Sequence, residues 1–448
     1  MRLNGKSLGN RRALPGMLDI YSGAGAALLL TVFAYFLLFR FIAAGLITRE
    51  TFTATYGGAA VMIAAILALR LGPRSSFAPI YMYGFYLAVR FAAMGSWQDL
   101  SLISFFQYFG PLAFFFIGYY LWGLSLYEMV INAFIFFAAL SLLIGQANFY
   151  FGFGEILFQN LSFELTMSGN EIVVRARSLA GYSLGTGYLA TIAAMLALIR
   201  PRWQKPVLMG IFVLSLLNSY SRGAMIILLA GLCIWLLLPV HKSKLPQAFR
   251  ILVIASMALL LIVIFSQSSP EFLDRYYNRF ILGLSLSEEG NYVRLISWRY
   301  AIDIWKRSPF FGVGFGILGS TPVIRSGAGF APESMYLKVL GELGVIGLVL
   351  YGLATLVSPI RAWVYVVRPN IGLGQRRTAG ALLALVIAIL LAGVFLQNLE
   401  SDFFATLFWF LSGGLTAFAD VSTREKGYID QRAGSRHAFA DAISRRGI

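Results

Sequence analysis

Long apolar runs separated by short polar links dominate the sequence. Twelve of these runs approach the ~20 residues that an α-helix needs to cross the hydrocarbon core of a bilayer. They lie at 24–46, 57–71, 78–96, 102–122, 129–149, 179–199, 206–220, 223–240, 251–268, 335–358, 378–397 and 403–419. The pattern predicts an all-α polytopic membrane protein with about twelve transmembrane helices, which satisfy their backbone polar groups internally.

Composition and charge narrow the class further. Hydrophobic residues make up 58% of the 448 residues and charged residues only 12%, which is too apolar for an aqueous globule. The net charge of +16 is concentrated in links and tails, so it indicates orientation in the membrane and no nucleic-acid partner. Cys233 is the single cysteine, and His241 and His437 both fall on the cytoplasmic side, so the sequence predicts no disulfide, metal site or cofactor.

The distribution of basic residues predicts the topology. If the runs alternate across the membrane, four basic links fall on one side, at 72–77, 200–205, 241–250 and 359–377. The positive-inside rule places these links and both termini in the cytoplasm of an inner-membrane protein. The resulting segments are a cytoplasmic tail at 1–20, helices 1–9 within 21–268, a large periplasmic loop at 269–334, helices 10–12 within 335–419 and a second tail at 420–448.

The large loop between helices 9 and 10 contains one clear amphipathic pattern. Apolar residues recur every three or four positions from Asn291 to Arg307, which predicts a helix. Pro309 and the glycines that follow it at 312, 314 and 316 predict that this helix ends there and leads into a flexible turn.

Two stretches carry arginines suited to binding an anion. Arg222, in Ser221–Arg222–Gly223, separates two short apolar runs and lies at the outer membrane interface. It could bind an anion in a cavity, or its side chain could simply reach lipid headgroups. Arg294 and Arg299 flank Trp298 on the loop helix. Guanidinium groups bind phosphate bidentately and an indole can stack on a sugar, although such a helix could also lie on anionic lipid.

Carboxylates at the loop ends are the candidates for proton transfer. Glu333 lies where the chain re-enters the membrane, and partial desolvation there would prepare a general base. It could equally be an acidic residue favoured by the positive end of a helix dipole. Glu400, in the last outer link, could line a cavity mouth or simply be solvated.

Three motifs occur in a characteristic order around this loop. They are Ser221–Arg222–Gly223, then Arg294-x3-Trp298 followed by Ser308–Pro309-x2-Gly312-x-Gly314-x-Gly316, then Glu333–Ser334-x-Tyr336–Leu337-x4-Glu342-x-Gly344-x2-Gly347. Over roughly 205–355 the chain resembles the superfamily of O-antigen ligases and Wzy-type O-antigen and exopolysaccharide polymerases. The resemblance implies a fold like that of the GT-C membrane glycosyltransferases.

The resemblance also implies an activity and a set of site residues. Proteins of this superfamily transfer a glycan from an undecaprenyl-pyrophosphate carrier to an acceptor hydroxyl on the periplasmic face, without metal. Arg222 and Arg294 would hold the pyrophosphate and stabilise its growing charge, and Glu333 would accept the proton. Further contacts with pyrophosphate or glycan are expected from Trp298, Arg299, Tyr336 and Glu400.

One departure from the family pattern affects the choice of activity. Ligases commonly have His-Asn-x-Tyr-Leu, but this sequence has Glu333 at the histidine position. We therefore predict a polymerase that joins lipid-linked repeat units, with a ligase acting on lipid A-core as the alternative. A transporter or oligosaccharide flippase is the rival of another class. Expected partners are the lipid-linked oligosaccharide, membrane lipids, a chain-length regulator and export proteins.

Overall fold

A computed structural model describes the parts of the chain from which the site is built. These are residues 62–63, 65–94, 99–123, 127–151, 164–168, 171–178, 183–200, 203–239, 289–318, 332–368, 371–396 and 404–420. The predicted spans at 24–46 and 251–268, the predicted tail at 1–20, the second tail after Asp420 and Glu400 lie outside the described residues.

The helices follow the apolar runs closely. In chain order they are α1 (Ala78–Ala93), α2 (Asp99–Gly123), α3 (Tyr127–Phe151), α4 (Ser183–Ala197), α5 (Lys205–Ser219), α6 (Arg222–Leu237), α7 (Glu289–Arg307), α8 (Met335–Val366), α9 (Leu373–Ala392) and α10 (Phe404–Asp420). A further helical stretch occupies 65–71. Helices α1 to α6 and α10 coincide with predicted runs to within a few residues, and α7 is the predicted amphipathic helix. Helix α8 extends eight residues beyond the predicted end at 358, and α9 is shifted by five residues from the predicted run at 378–397.

Four described stretches are long and apolar enough to cross a membrane. They are Ser101–Trp122, Ile131–Phe151, Met335–Val366 and Leu373–Ala392, and α4, α5, α6 and α10 are shorter apolar helices. This architecture is compatible with the predicted polytopic membrane protein, and the count of twelve spans stays a prediction.

Helix α4 is the centre of the bundle. Nearly every residue from Ser183 to Ala197 is buried, because α4 packs against α3, α5, α6 and α9. A helix that is buried on all sides has no need of a polar face, and small residues such as Ala190 and Ala193 let its neighbours approach closely.

A two-stranded hairpin is the one described departure from the predicted all-α class. Strand β1 (Glu164–Ser168) pairs antiparallel with β2 (Glu171–Arg175), with Leu165 opposite Val174. The two strands flank Gly169–Asn170, a dipeptide typical of tight hairpin turns. The hairpin lies in the long link at 148–177, so the helical bundle itself is unaffected.

Helix α8 is broken at Gly344. This residue has the non-helical angles φ 70° and ψ −172°. Residues fifteen positions apart on a straight helix are separated by about 22 Å, yet the ring centres of Tyr336 and Tyr351 are 6.2 Å apart. The segment before Gly344 therefore folds back beside the segment after it, so the run predicted as one span from 335 consists of two pieces.

Three segments predicted to share one side of the membrane meet at Asp420. Its carboxylate pairs with Arg361 and accepts hydrogen bonds from Ser76 (2.9 Å) and from the Tyr119 hydroxyl (3.0 Å). The side chain of Asp420 is only 15% exposed. This network joins the link before α1 to the ends of α2, α8 and α10, which agrees with the predicted alternation.

Replacing Asp420 with Asn should destabilise the fold. The change leaves the Arg361 guanidinium without its charged partner, and we expect a loss of about 2 kcal/mol and a lower melting temperature in micelles. Asp303→Asn is the matched control, because its pair with Lys306 is exposed on both sides and should contribute under about 1 kcal/mol. Equal shifts for the two variants would contradict this role for Asp420.

Candidate functional site

The junction between α5 and α6 positions Arg222. Helix α5 ends at Ser219, and Tyr220 adopts a left-handed conformation (φ 48°), unlike any other non-glycine residue that the structure describes. Ser221 then caps α6, since its hydroxyl accepts a hydrogen bond from the backbone N–H of Ala224 (3.3 Å). Arg222 is therefore the first residue of α6, half-buried, at the helix end whose dipole favours anions.

Arg294 and Glu333 form an ion pair. The Nε–H of Arg294 donates to Oε2 of Glu333 across 39 positions of sequence. The Arg294 side chain is 30% exposed and that of Glu333 49% exposed. We predicted a partly desolvated carboxylate at 333, and its side chain is about half-exposed and bonded to a cation.

Helix geometry determines where Trp298 and Arg299 lie relative to Arg294. Trp298 lies four residues after Arg294, so the two side chains share one face of α7. Arg299, five residues after Arg294, is turned by about 140° around the axis and is exposed. The expectation that Arg299 acts beside Arg294 therefore receives no support from this placement.

The start of α8 is fixed to the end of α9. Ser334 caps α8 by accepting a hydrogen bond from the backbone N–H of Leu337 (3.4 Å). The hydroxyl of Tyr336 donates to the carbonyl of Leu390 (2.7 Å). Tyr336, which we predicted to contact substrate, thus anchors α8 to α9 in this structure.

A four-residue turn at 393–396, directly after α9, brings the three motifs together. The backbone N–H of Met335 donates to the carbonyls of Gly393 (2.9 Å) and Leu396 (3.2 Å). The rings of Trp298 and Phe395 are 6.2 Å apart, and Gly223 lies against the side chain of Leu396. Each of the three motifs therefore has a residue in contact with this turn, one to four positions from Arg222, Glu333 or Arg294.

The turn at 393–396 was missed by the sequence analysis. We predicted an uninterrupted apolar run from 378 to 397, whereas α9 ends at Ala392. Gly393 inside that run was the available signal, because glycine is common where helices end.

Trp298 has a polar group that is available for a ligand. Its Nε1–H is buried and has no hydrogen-bond partner among the residues that the structure describes. Buried donors are nearly always satisfied in folded proteins, so this unsatisfied donor, on the same face of α7 as Arg294, is a candidate for a ligand contact.

The glycine motif after Pro309 was predicted to form a flexible turn, but its backbone is hydrogen-bonded to that of α8. Gly312 and Gly344 lie against each other's chain segments, and both have a φ of 70°. The backbone N–H groups of Val313 and Gly314 donate to the carbonyls of Gly341 and Glu342, each at 3.0 Å. A side chain at either glycine would collide with the opposite backbone, and the left-handed φ would strain it further.

Comparison with known families agrees with this arrangement. Residues 207–352 match the family model described as O-antigen ligase, a range that includes Arg222, Arg294 and Glu333. A search of curated proteins found no match. The resemblance predicted from the motifs is confirmed over this range, which is about a third of the chain.

The Arg294–Glu333 pair is too exposed to contribute much to the stability of the fold. Exposed ion pairs contribute about 0–1 kcal/mol, so Glu333→Gln should leave the melting temperature in micelles nearly unchanged. A decrease as large as that of Asp420→Asn would mean that the pair serves mainly to hold the fold together.

Proposed function

We propose that this protein is a metal-independent polysaccharide polymerase. It transfers glycan from an undecaprenyl-pyrophosphate carrier to the acceptor hydroxyl of another lipid-linked repeat unit on the periplasmic face of the inner membrane. The observation that carries the proposal is that three motifs, all within the range 207–352 that matches the O-antigen ligase family, converge on the turn at 393–396, which follows that range.

Binding of the donor depends on the two arginines. Arg222 and Arg294 come from stretches far apart in sequence, and each carries five N–H donors and a permanent charge. Together they would hold the diphosphate and stabilise the negative charge that grows on it as the bond to the sugar breaks. The positive end of α6 adds to this field.

The chemical step is a substitution at the anomeric carbon. The acceptor hydroxyl loses its proton to Glu333, and its oxygen forms the new bond to the anomeric carbon. The bond between that carbon and the phosphate oxygen breaks, and the carrier pyrophosphate leaves with the electron pair. No nucleotide is needed, because the pyrophosphate is already a good leaving group.

The Arg294–Glu333 pair couples donor binding to this step. Glu333 is engaged by the Nε–H of Arg294. A diphosphate, which carries more negative charge, would compete for that guanidinium and leave the carboxylate to the acceptor hydroxyl. The pair would thus keep the base occupied until the donor is bound.

Glu333 also favours a polymerase over a ligase. Ligases of the resembled family commonly have histidine here, and a carboxylate can both accept a proton and orient a sugar by hydrogen bonds. A ligase acting on lipid A-core is the alternative, and the same site geometry serves both reactions.

An apolar groove beside the site supports a lipid-linked substrate. It has a volume of about 550 Å³ and runs between α8 and α9, from Tyr336 and Val394 to Trp363. Tyr336 is next to Met335, whose backbone N–H is bonded to the 393–396 turn, and Val394 belongs to that turn. An isoprenoid chain attached to a diphosphate at the site would find an apolar path there.

Reconstitution with carrier-linked repeat units tests the activity. Wild-type protein should make longer glycans, and Arg222→Ala, Arg294→Ala and Glu333→Gln should each slow transfer about 100-fold. Lys306→Ala removes an exposed cation from the same helix as Arg294 and should change little.

The products of the same assay distinguish the alternatives. Transfer to lipid A-core in place of repeat units would indicate a ligase. Movement of the oligosaccharide across the membrane without a new glycosidic bond would indicate a flippase and overturn the proposal.

Obstructing the groove should weaken donor binding alone. Leu391→Trp places a large ring in the groove, so KM for a long-chain donor should rise several-fold while kcat changes little. Leu353→Trp, at a similarly exposed apolar position of α8 outside the groove lining, is the control. Equal effects of the two variants, or an equal effect on a short-chain donor, would count against this path.

A further inference from the structure

We propose that Glu342 is a positioning residue, which fixes the loop at 309–318 on α8 and thereby sets where α7 presents Arg294 and Trp298. The inference rests on the proposed roles of these two residues. Glu342 belongs to the third sequence motif, where its position alone predicts no role.

The carboxylate of Glu342 is bonded on both oxygens by protein groups. Oε1 accepts hydrogen bonds from the backbone N–H groups of Gly316 and Leu318, each at 3.0 Å. Oε2 accepts one from the hydroxyl of Tyr108 on α2, at 2.8 Å. Glu342 is 0% exposed, so it does not touch a substrate from this position.

A second buried charge accompanies this carboxylate. Lys338 lies one helical turn before Glu342, on the same face of α8, and is only 1% exposed. Its Nζ is 5.2 Å from the ring centre of Tyr108. Burying two charges is costly unless they are well bonded, so the network is expected to have one well-defined geometry.

The loop held by Glu342 lies between α8 and α7. Leu318 is buried in a cluster with Ala301 and Ile304 of α7, and Gly341 of α8 leaves space for its side chain. The loop is braced from α1 as well, because Arg90 donates to the carbonyl of Gly312 (3.1 Å). Glu342 thus acts on α7 through Leu318.

Helix α7 transmits this constraint to the site. Arg294 lies two turns before Ala301, about 10 Å along a helix that moves as one body. A shift or tilt of α7 at its anchored end would therefore displace Arg294 from Glu333 and Trp298 from Phe395. Both contacts join residues that are far apart in sequence, so they depend on how α7 packs against α8 and the 393–396 turn.

Cross-linking tests the positioning without any catalytic readout. Cysteines at positions 294 and 333 in a Cys233→Ser background should be joined efficiently by a short thiol-reactive reagent, because these side chains are in contact. Adding Glu342→Gln removes the negative charge, and because a neutral amide oxygen accepts the two backbone N–H bonds more weakly than a carboxylate, the cross-linking rate should fall several-fold. Tyr83→Phe is the control, since its buried hydroxyl has no hydrogen-bond partner among the described residues.

Turnover gives the second readout. With the native residues at 294 and 333, Glu342→Gln should reduce kcat/KM about tenfold, the size expected from a lost hydrogen bond to a charged group. Tyr108→Phe removes the bond to Oε2 and keeps both backbone bonds to Oε1, so it should change both readouts in the same direction by less. If Glu342→Gln does not yield monodisperse protein, Tyr108→Phe decides.

The outcomes separate this inference from the proposed activity. Unchanged cross-linking in both Glu342→Gln and Tyr108→Phe overturns the positioning role, whatever happens to turnover. A slower cross-link in a protein whose wild type transfers no glycan would support the positioning role and refute the polymerase.

Discussion

Inside a bilayer, a helix can be broken only where the rest of the protein satisfies the backbone groups that the break exposes. Helix α8 meets this condition at Gly344. The N–H groups of Val345 and Ile346 donate to the carbonyls of Pro309 and Phe310, at 2.9 and 3.2 Å. The carbonyls of Gly341 and Glu342 accept from Val313 and Gly314. The loop at 309–318 thus completes the broken helix, and this pairing determines where α7 lies.

The consequences of this pairing reach the candidate site. Because the first part of α8 folds back, its N-terminus meets the end of α9 instead of extending away from it. Met335 then bonds the 393–396 turn, whose side chains contact Trp298 and Gly223. The non-helical backbone at 309–318 and Gly344 and the non-helical turn at 393–396 are therefore parts of one connected arrangement. Glycine is required at 312 and 344 for this reason, which accounts for part of the motif without any catalytic role.

The local features of this fold were predictable from the sequence, and the long-range ones were not. Apolar runs gave α1 to α6 and α10 to within a few residues, and periodicity gave α7, because both signals depend on neighbouring residues. The break at Gly344 depends on a partner loop some thirty residues earlier, so its glycine alone could not distinguish a kink from an ordinary helix position. Lys338 is a charged residue within an apolar helix, and its position in the sequence could have predicted the buried network around Glu342.

The same division applies to the candidate site. Residue chemistry predicted Arg222, Arg294 and Glu333, whereas the pairing of the last two requires the fold. The separation of Arg299 from Arg294 was available from helix geometry alone. Tyr336 was predicted as a substrate contact because of its place in the motif, yet its hydroxyl is bonded to Leu390.

The central claim is that Arg222 and Arg294 bind one diphosphate together. The most direct measurement is the affinity of undecaprenyl pyrophosphate for protein in nanodiscs, for wild type, Arg222→Gln, Arg294→Gln and the double variant. If the two guanidinium groups share a ligand, the free-energy losses should be non-additive by about 1 kcal/mol or more. Strictly additive losses, or no loss in either single variant, would contradict the account.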